Sequence, residues 1–132
     1  MKRQLRDAIC RINVKPAGAD AKSLSRGTGF LVAPDLVLTA LHVVADRKSD
    51  PPTPYPGAIQ HDFPGRKSAA VIEANCWDGK DDWVLLRCPA PLPIAPLALS
   101  TPQEAVADWL TFGFPDANPR DGMVQTGSVE NF

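Results

Sequence analysis

The chain has 132 residues, which suits one domain with a real hydrophobic core. Hydrophobic residues at 44% and charged residues at 22% exclude a disordered chain, and a formal net charge of -1 gives no basis for unspecific attraction to nucleic acid or an anionic membrane surface. The 14 prolines beside 9 glycines exclude long helices, because proline fixes φ and lacks a backbone donor; they fit short strands joined by many turns, an all-β fold.

Met1 to Asp7 is basic, but Ala8 to Lys15 is broken by charge, so no signal-type apolar region follows. Nor does any stretch approach the ~18 apolar residues of a membrane span. The expectation is a cytoplasmic protein. Ala8 to Val14 predicts a first strand, closed by Pro16-Ala17-Gly18, with a polar loop over residues 19 to 26. Gly27 to Ala33 and Leu36 to Ala40 are two apolar runs around Pro34-Asp35, a β-hairpin pattern. Leu41 to Ala45 is long enough for one helical turn.

From Asp46 to Lys67 the chain reads as loop, with the proline-rich run Asp50 to Gly57 resisting both helix and ladder. That run is read as a surface loop in preference to a recognition segment. Ala69 to Ala74 and Asp82 to Cys88 predict strands, separated by a turn at Trp77-Asp78-Gly79-Lys80. Pro89 to Pro96 is a connector. Ala107 to Phe114 and Met123 to Phe132 predict the last strands, divided by a Pro/Asn/Asp/Gly stretch from Pro115 to Gly122. A succession of short strands with regular turn signals predicts a barrel or sandwich.

Cys10, Cys76 and Cys88 form no C-x-x-C pair, so a zinc site would need a chance gathering of these thiols with His42 and His61. Buried, reduced thiols are the simpler reading, with no metal and no cofactor.

The informative segment is Gly27-Thr28-Gly29-Phe30-Leu31-Val32 followed by Val37-Leu38-Thr39-Ala40-Leu41-His42-Val43-Val44. A glycine-opened strand, a tight turn, a second strand and then Thr-Ala-x-His-Val-Val resemble the catalytic-histidine hairpin of trypsin-like (chymotrypsin-fold) serine proteases. The likeness is to the bacterial type, including the high-temperature-requirement family. A second segment, Asp82-Trp83-Val84-Leu85-Leu86, is similar to the family's Asp-x-Ala-Leu-Leu strand start. Asp81 is adjacent, but only Asp82 keeps the Leu85-Leu86 spacing. A softer likeness lies in Trp109 to Pro115 and in Gly127-Ser128-Val129, where family members leave the first barrel and open the second.

The resemblance implies a chymotrypsin-like Greek-key β-barrel over residues 1–115, with 116–132 as connector and first strand of a second barrel. It implies His42 as general base and Asp82 as its orienting carboxylate. The chemistry requires such a pair: an imidazole with an ordinary pKa near ~6.5 must be held in one tautomer and stabilised once protonated. Chain order, histidine then acid with serine last, also agrees.

The family's Gly-x-Ser-Gly-Gly, whose backbone amides form the oxyanion hole, does not occur. Ser23, Ser25, Ser49, Ser68, Ser100 and Ser128 lack its glycines. The expected function is peptide-bond hydrolysis in which this chain supplies acid–base groups and a serine-bearing C-terminal half, or another domain of the same protein, supplies the nucleophile. A polypeptide is the expected substrate, with neither nucleic acid nor membrane as partner. Two alternatives stand beside it: a non-catalytic, protease-derived binding or regulatory module, and a cysteine nucleophile supplied from elsewhere. None of the three cysteines here has the glycine context for that role. Leu41 and Val43 beside His42 exclude the disulfide that flanks the histidine in animal trypsins, and the start at Met1 gives no support to activation through a newly formed terminal amine.

Overall fold

Prolines and glycines cluster at the joints of this chain, at residues 16–18, 51–57, 64–65 and 89–96, and the apolar runs between them fold mostly as strands. The computed structural model describes residues 3–15, 25–99, 108–113 and 123–128. In chain order they form α1 (Arg3–Asp7), β1 (Ile9–Lys15), β2 (Ser25–Ala33), β3 (Leu36–Thr39), α2 (Leu41–Val44), β4 (Ala45–Asp46), β5 (Thr53–Pro54), β6 (Ala58–Phe63), β7 (Arg66–Asp78), β8 (Trp83–Arg87), β9 (Asp108–Gly113) and β10 (Met123–Ser128).

Six strands close a barrel in the order β1-β2-β3-β8-β7-β6, each neighbouring pair antiparallel. After β3 the chain leaves its neighbour, returns beside β1 as β6, and works back through β7 to β8. That is a Greek key. Closure leaves no unpaired edge. β9 and β10 pair in a separate two-stranded sheet, and β4 pairs with β5.

Alternation along the strands fills the barrel. Cys10, Ile12 and Val14 of β1, Leu31 of β2, Val37 of β3 and Val84 and Leu86 of β8 are all fully buried, while Trp83 and Arg87 point outward. Each buried Ile, Leu or Val contributes about 1.5–3 kcal/mol over its exposed state. Gly29 lies across the ladder from Cys10, and a Cβ there would stand 2.7 Å from Val37 Cγ1 and 3.0 Å from Cys10 Sγ. Only a hydrogen fits. On the outer face Arg11 and Asp62 are direct cross-strand partners and pair at 2.7 Å, and Arg87 pairs with Asp35 at 2.6 Å.

All three cysteines are free; Cys10 and Cys88 are buried, Cys76 half-buried. Burial pushes the Cys10 and Cys88 thiols up, so both stay protonated and act as small apolar side chains. Among the described residues, no group of three or more His, Cys, Asp or Glu is arranged to hold a metal ion, and no helix is long and apolar enough to cross a membrane.

The all-β expectation holds, with one substantial correction: residues 46 to 67 are not a continuous loop. β6 lies within them and closes the barrel against β1. Its inward residues are Ile59, His61 and Phe63, with His61 and Phe63 buried. Because His61 counts as polar, the alternation is hidden in the sequence. Pro64-Gly65, with Gly65 at φ 72°, turns β6 into β7. β7 is also longer than Ala69 to Ala74 and runs through Trp77 and Asp78, so the turn starts at Gly79. β2 begins at Ser25, inside the expected loop, and α1 was not foreseen. The expected turns at Pro16-Ala17-Gly18 and from Pro115 to Gly122 lie outside the described residues.

Candidate active site

β3 and β8 are ladder neighbours, with Thr39 opposite Val84. His42 follows the end of β3 and Asp82 precedes the start of β8, so one ladder brings together residues 40 apart in sequence. Thr39 is buried, and its hydroxyl donates to the Thr28 carbonyl at 2.8 Å, anchoring the end of β3 to β2. Ala40 is extended, and Leu41–Val44 then make a single helical turn.

That turn is too short to persist by itself. Leu41, Val43 and Val44 bury its inner side, and Val43 packs on Gly27, where a Cβ would stand 2.5 Å from Val43 Cγ2. Val43 thus occupies space that a side chain on β2 would otherwise fill. No side chain of its own segment caps the turn. Asp82 does so from across the barrel rim. Its carbonyl accepts from the Leu41 N–H at 3.2 Å, and its Oδ1 accepts from the His42 N–H at 2.9 Å.

The second carboxylate oxygen, Oδ2, lies 2.5 Å from His42 Nδ1. With Asp82 ionised, Nδ1 is the donor, and one carboxylate holds both the backbone and the ring of His42. The imidazole side chain is 62% exposed, and Nε2 has no hydrogen-bond partner among the described residues. Asp82 is only 19% exposed. Burial pushes its carboxyl up, but hydrogen bonds from the His42 ring and backbone, with the charges of His42 and Arg47, outweigh that and hold it below the ordinary carboxylate range.

Asp82 occupies the left-handed backbone region, φ 58°, at a cost of about 1–2 kcal/mol for a residue with a side chain. Asp81, the sequence alternative, is exposed and donates its backbone N–H to Asp78 Oδ1 at 3.0 Å; it does not reach His42. Beside the pair an open apolar hollow is lined by Leu41, Ala45, Pro52, Pro54 and Trp77. Part of the proline-rich run is therefore a wall next to this site. Sequence reasoning located both members of the pair. It missed Arg47, which lies 3.4 Å from Asp82 Oδ2, because an arginine in a charged turn carries no signal of a partner so far along the chain.

Residues 27–132 match the family model described as the trypsin-like peptidase domain. Among solved structures, the chain is similar to the active form of the Rv3671c protease from M. tuberculosis, at 23% sequence identity and a TM-score of 0.67. That likeness covers 91% of this chain and 46% of that one, so the chain spans about half of the solved relative. No curated protein matches. The barrel is therefore of the chymotrypsin-like type, and the chain belongs to the trypsin-like peptidase domain family.

Proposed function

We propose that this chain supplies the acid–base half of a serine endopeptidase, with His42 as general base and Asp82 as the group that orients it. The nucleophilic serine and oxyanion donors come from residues outside this chain. In this reading residues 1–115 make the first barrel, and 116–132 provide the connector and opening strand of a second. The observation that carries it is the pair of hydrogen bonds from His42, backbone at 2.9 Å and ring at 2.5 Å, to one carboxylate.

The chemistry follows from that geometry. With Nδ1–H committed to Asp82, the lone pair of the imidazole is on Nε2, the exposed side. A serine hydroxyl placed against Nε2 loses its proton to His42 as its oxygen attacks a peptide carbonyl. The imidazolium so formed lies against the Asp82 carboxylate, which stays ionised. His42 then returns the proton to the departing amine, and the C–N bond breaks. Water repeats the sequence on the acyl ester and frees the serine. The substrate is a polypeptide, and no cofactor is needed for the proton transfers.

The test is to combine this chain with a serine-bearing segment of the same protein and to measure labelling by a serine-directed fluorophosphonate together with peptide turnover. Both are expected, and His42→Ala should lower turnover by about 10⁴-fold or more, a scale taken over from Ser-His-Asp triads in general. Absence of labelling, or labelling indifferent to His42→Ala, would refute the reading and leave a binding module.

A further inference from the structure

The turn that delivers Asp82 is held from two sides, its N–H groups by Asp78 and its carbonyls by Arg47. Asp78 Oδ1 accepts from the N–H groups of Lys80 at 2.8 Å and Asp81 at 3.0 Å. The carbonyls face Arg47, whose Nη2 donates to Gly79 O at 3.0 Å and Lys80 O at 3.4 Å. Its other terminal nitrogen, Nη1, lies 3.4 Å from Asp82 Oδ2, the same oxygen that takes the His42 ring. This contact is an ion pair and not one of the guanidinium's hydrogen bonds, so Arg47 leaves that oxygen to the imidazole.

Arg47 itself leaves a braced turn. The Lys48 N–H donates to Asp46 Oδ1 at 3.0 Å, and Ser49 Oγ donates to the Asp46 carbonyl at 2.9 Å. Asp46 belongs to β4, directly after α2. The segment carrying His42 therefore reaches the turn carrying Asp82 by two routes, one through the pair itself and one through the guanidinium. A planar fork sets one nitrogen on two carbonyls and the other against the carboxylate, a fixed geometry that the compact, freely rotating ammonium of lysine does not reproduce.

We infer that Arg47 is a positioning residue for the His42–Asp82 pair: it locks the 79–82 turn through its carbonyls and sets its charge against the carboxylate that orients the imidazole. The role rests on the reading of that pair as the acid–base element. The charged and titratable groups around Asp82 are His42 and Arg47 across the rim and Asp78, Lys80 and Asp81 in its own turn. Among these, His42 and Arg47 favour the ionised carboxylate, and Arg47 alone can be replaced without removing the imidazole.

The test uses this chain in three forms, wild type, Arg47→Gln and Arg47→Lys, followed by two readouts. One is the titration of the Asp82 carboxyl carbon by NMR; the other is amide exchange at Lys80 and Asp81. Arg47→Gln should move the Asp82 midpoint upward and speed exchange at both amides by about tenfold. Arg47→Lys, keeping the charge but not the fork, should restore the midpoint while the amides stay faster than wild type. An Asp82 midpoint unmoved by Arg47→Gln would overturn the inference, even with faster exchange, since Arg47 would then be a loop brace only. Neither readout needs a serine or turnover. Failure of the peptidase reading would therefore appear as absent fluorophosphonate labelling with these shifts intact.

Discussion

A single methyl group added at Gly27 tests how the His42 turn is seated. The new Cβ would stand 2.5 Å from Val43 Cγ2 and 2.9 Å from Cγ1, against ordinary carbon contacts of about 3.5–4.0 Å. Rotating Val43 gives no relief, because both of its methyl groups face the strand and a β-branched side chain in a helical turn has one favoured rotamer. Val43 is also buried, so α2 has to lift by about 1 Å. Overpacking of this kind costs about 1–3 kcal/mol, and replacing glycine offsets about 0.4–1 kcal/mol through the unfolded state. The net expectation for Gly27→Ala is a loss of about 1–2 kcal/mol, with lengthening of the 2.9 Å and 2.5 Å contacts between His42 and Asp82. Urea unfolding measures the first, and the low-field proton of the His42 ring the second. Val43→Ala alone should cost about 1–2 kcal/mol, but the double variant should fall short of the sum by at least about 1 kcal/mol, because the smaller side chain vacates the space that the new methyl needs. A Gly27→Ala protein within about 0.5 kcal/mol of wild type, or a strictly additive double variant, would refute this reasoning.

Other expectations concern the barrel's buried polar groups. His61 is fully buried, edge-on to Phe63 with ring centroids 5.3 Å apart, and burial holds its imidazole below the ordinary histidine range. The unfolded chain therefore takes up this proton first; the contribution of neutral His61 is complete above about pH 6.5 and declines as pH falls below it. The urea midpoint should drop between pH 7 and 5 in wild type and much less in His61→Leu. Asp82 acts in a lower window: its depressed carboxyl contributes above the ordinary carboxylate range and is lost as pH falls through its folded value, so His61→Leu should leave that acid limb in place. At the Arg11–Asp62 pair, whose side chains are 26% and 15% exposed, Arg11→Leu leaves a largely buried carboxylate and Asp62→Leu a largely buried guanidinium, and each should cost about 1–3 kcal/mol, whereas the double variant should cost less than either single change. Urea unfolding of the four proteins in that cycle decides it.

What was legible in the sequence, and what was not, divides along physical lines. The hairpin from Gly27 to Thr39 reads plainly because two apolar runs flank a Pro-Asp turn, and the structure pairs Phe30 with Leu38 across it. His42 and Asp82 were legible as a motif, each at a strand boundary with a recognisable sequence around it. β6 was not, because a buried histidine breaks the apolar alternation that announces a strand. The length of β7 was obscured in another way: its end carries Trp77-Asp78, and side-chain types suited to a turn sit in a ladder when the partner strand supplies Val84 and Trp83 opposite them. Arg47 is the extreme case. Nothing local distinguishes it from a solvated charge, and its partners, 32 and 33 residues further on, exist only once the barrel has closed.

Since β3 and β8 share one ladder, strand register brings the imidazole and carboxylate together, and of the described residues in the long excursion between them it is Arg47 that touches the carboxylate. The exposed Pro56-Gly57 step leading from β5 into β6 is thus a place where residues can be exchanged with the His42–Asp82 contacts left in place, whereas Pro52 and Pro54 line the hollow and Tyr55 packs on the core. Variation of what surrounds the rim and preservation of the His42–Asp82 pair are separable in this architecture, a division of labour open equally to evolution and to loop grafting.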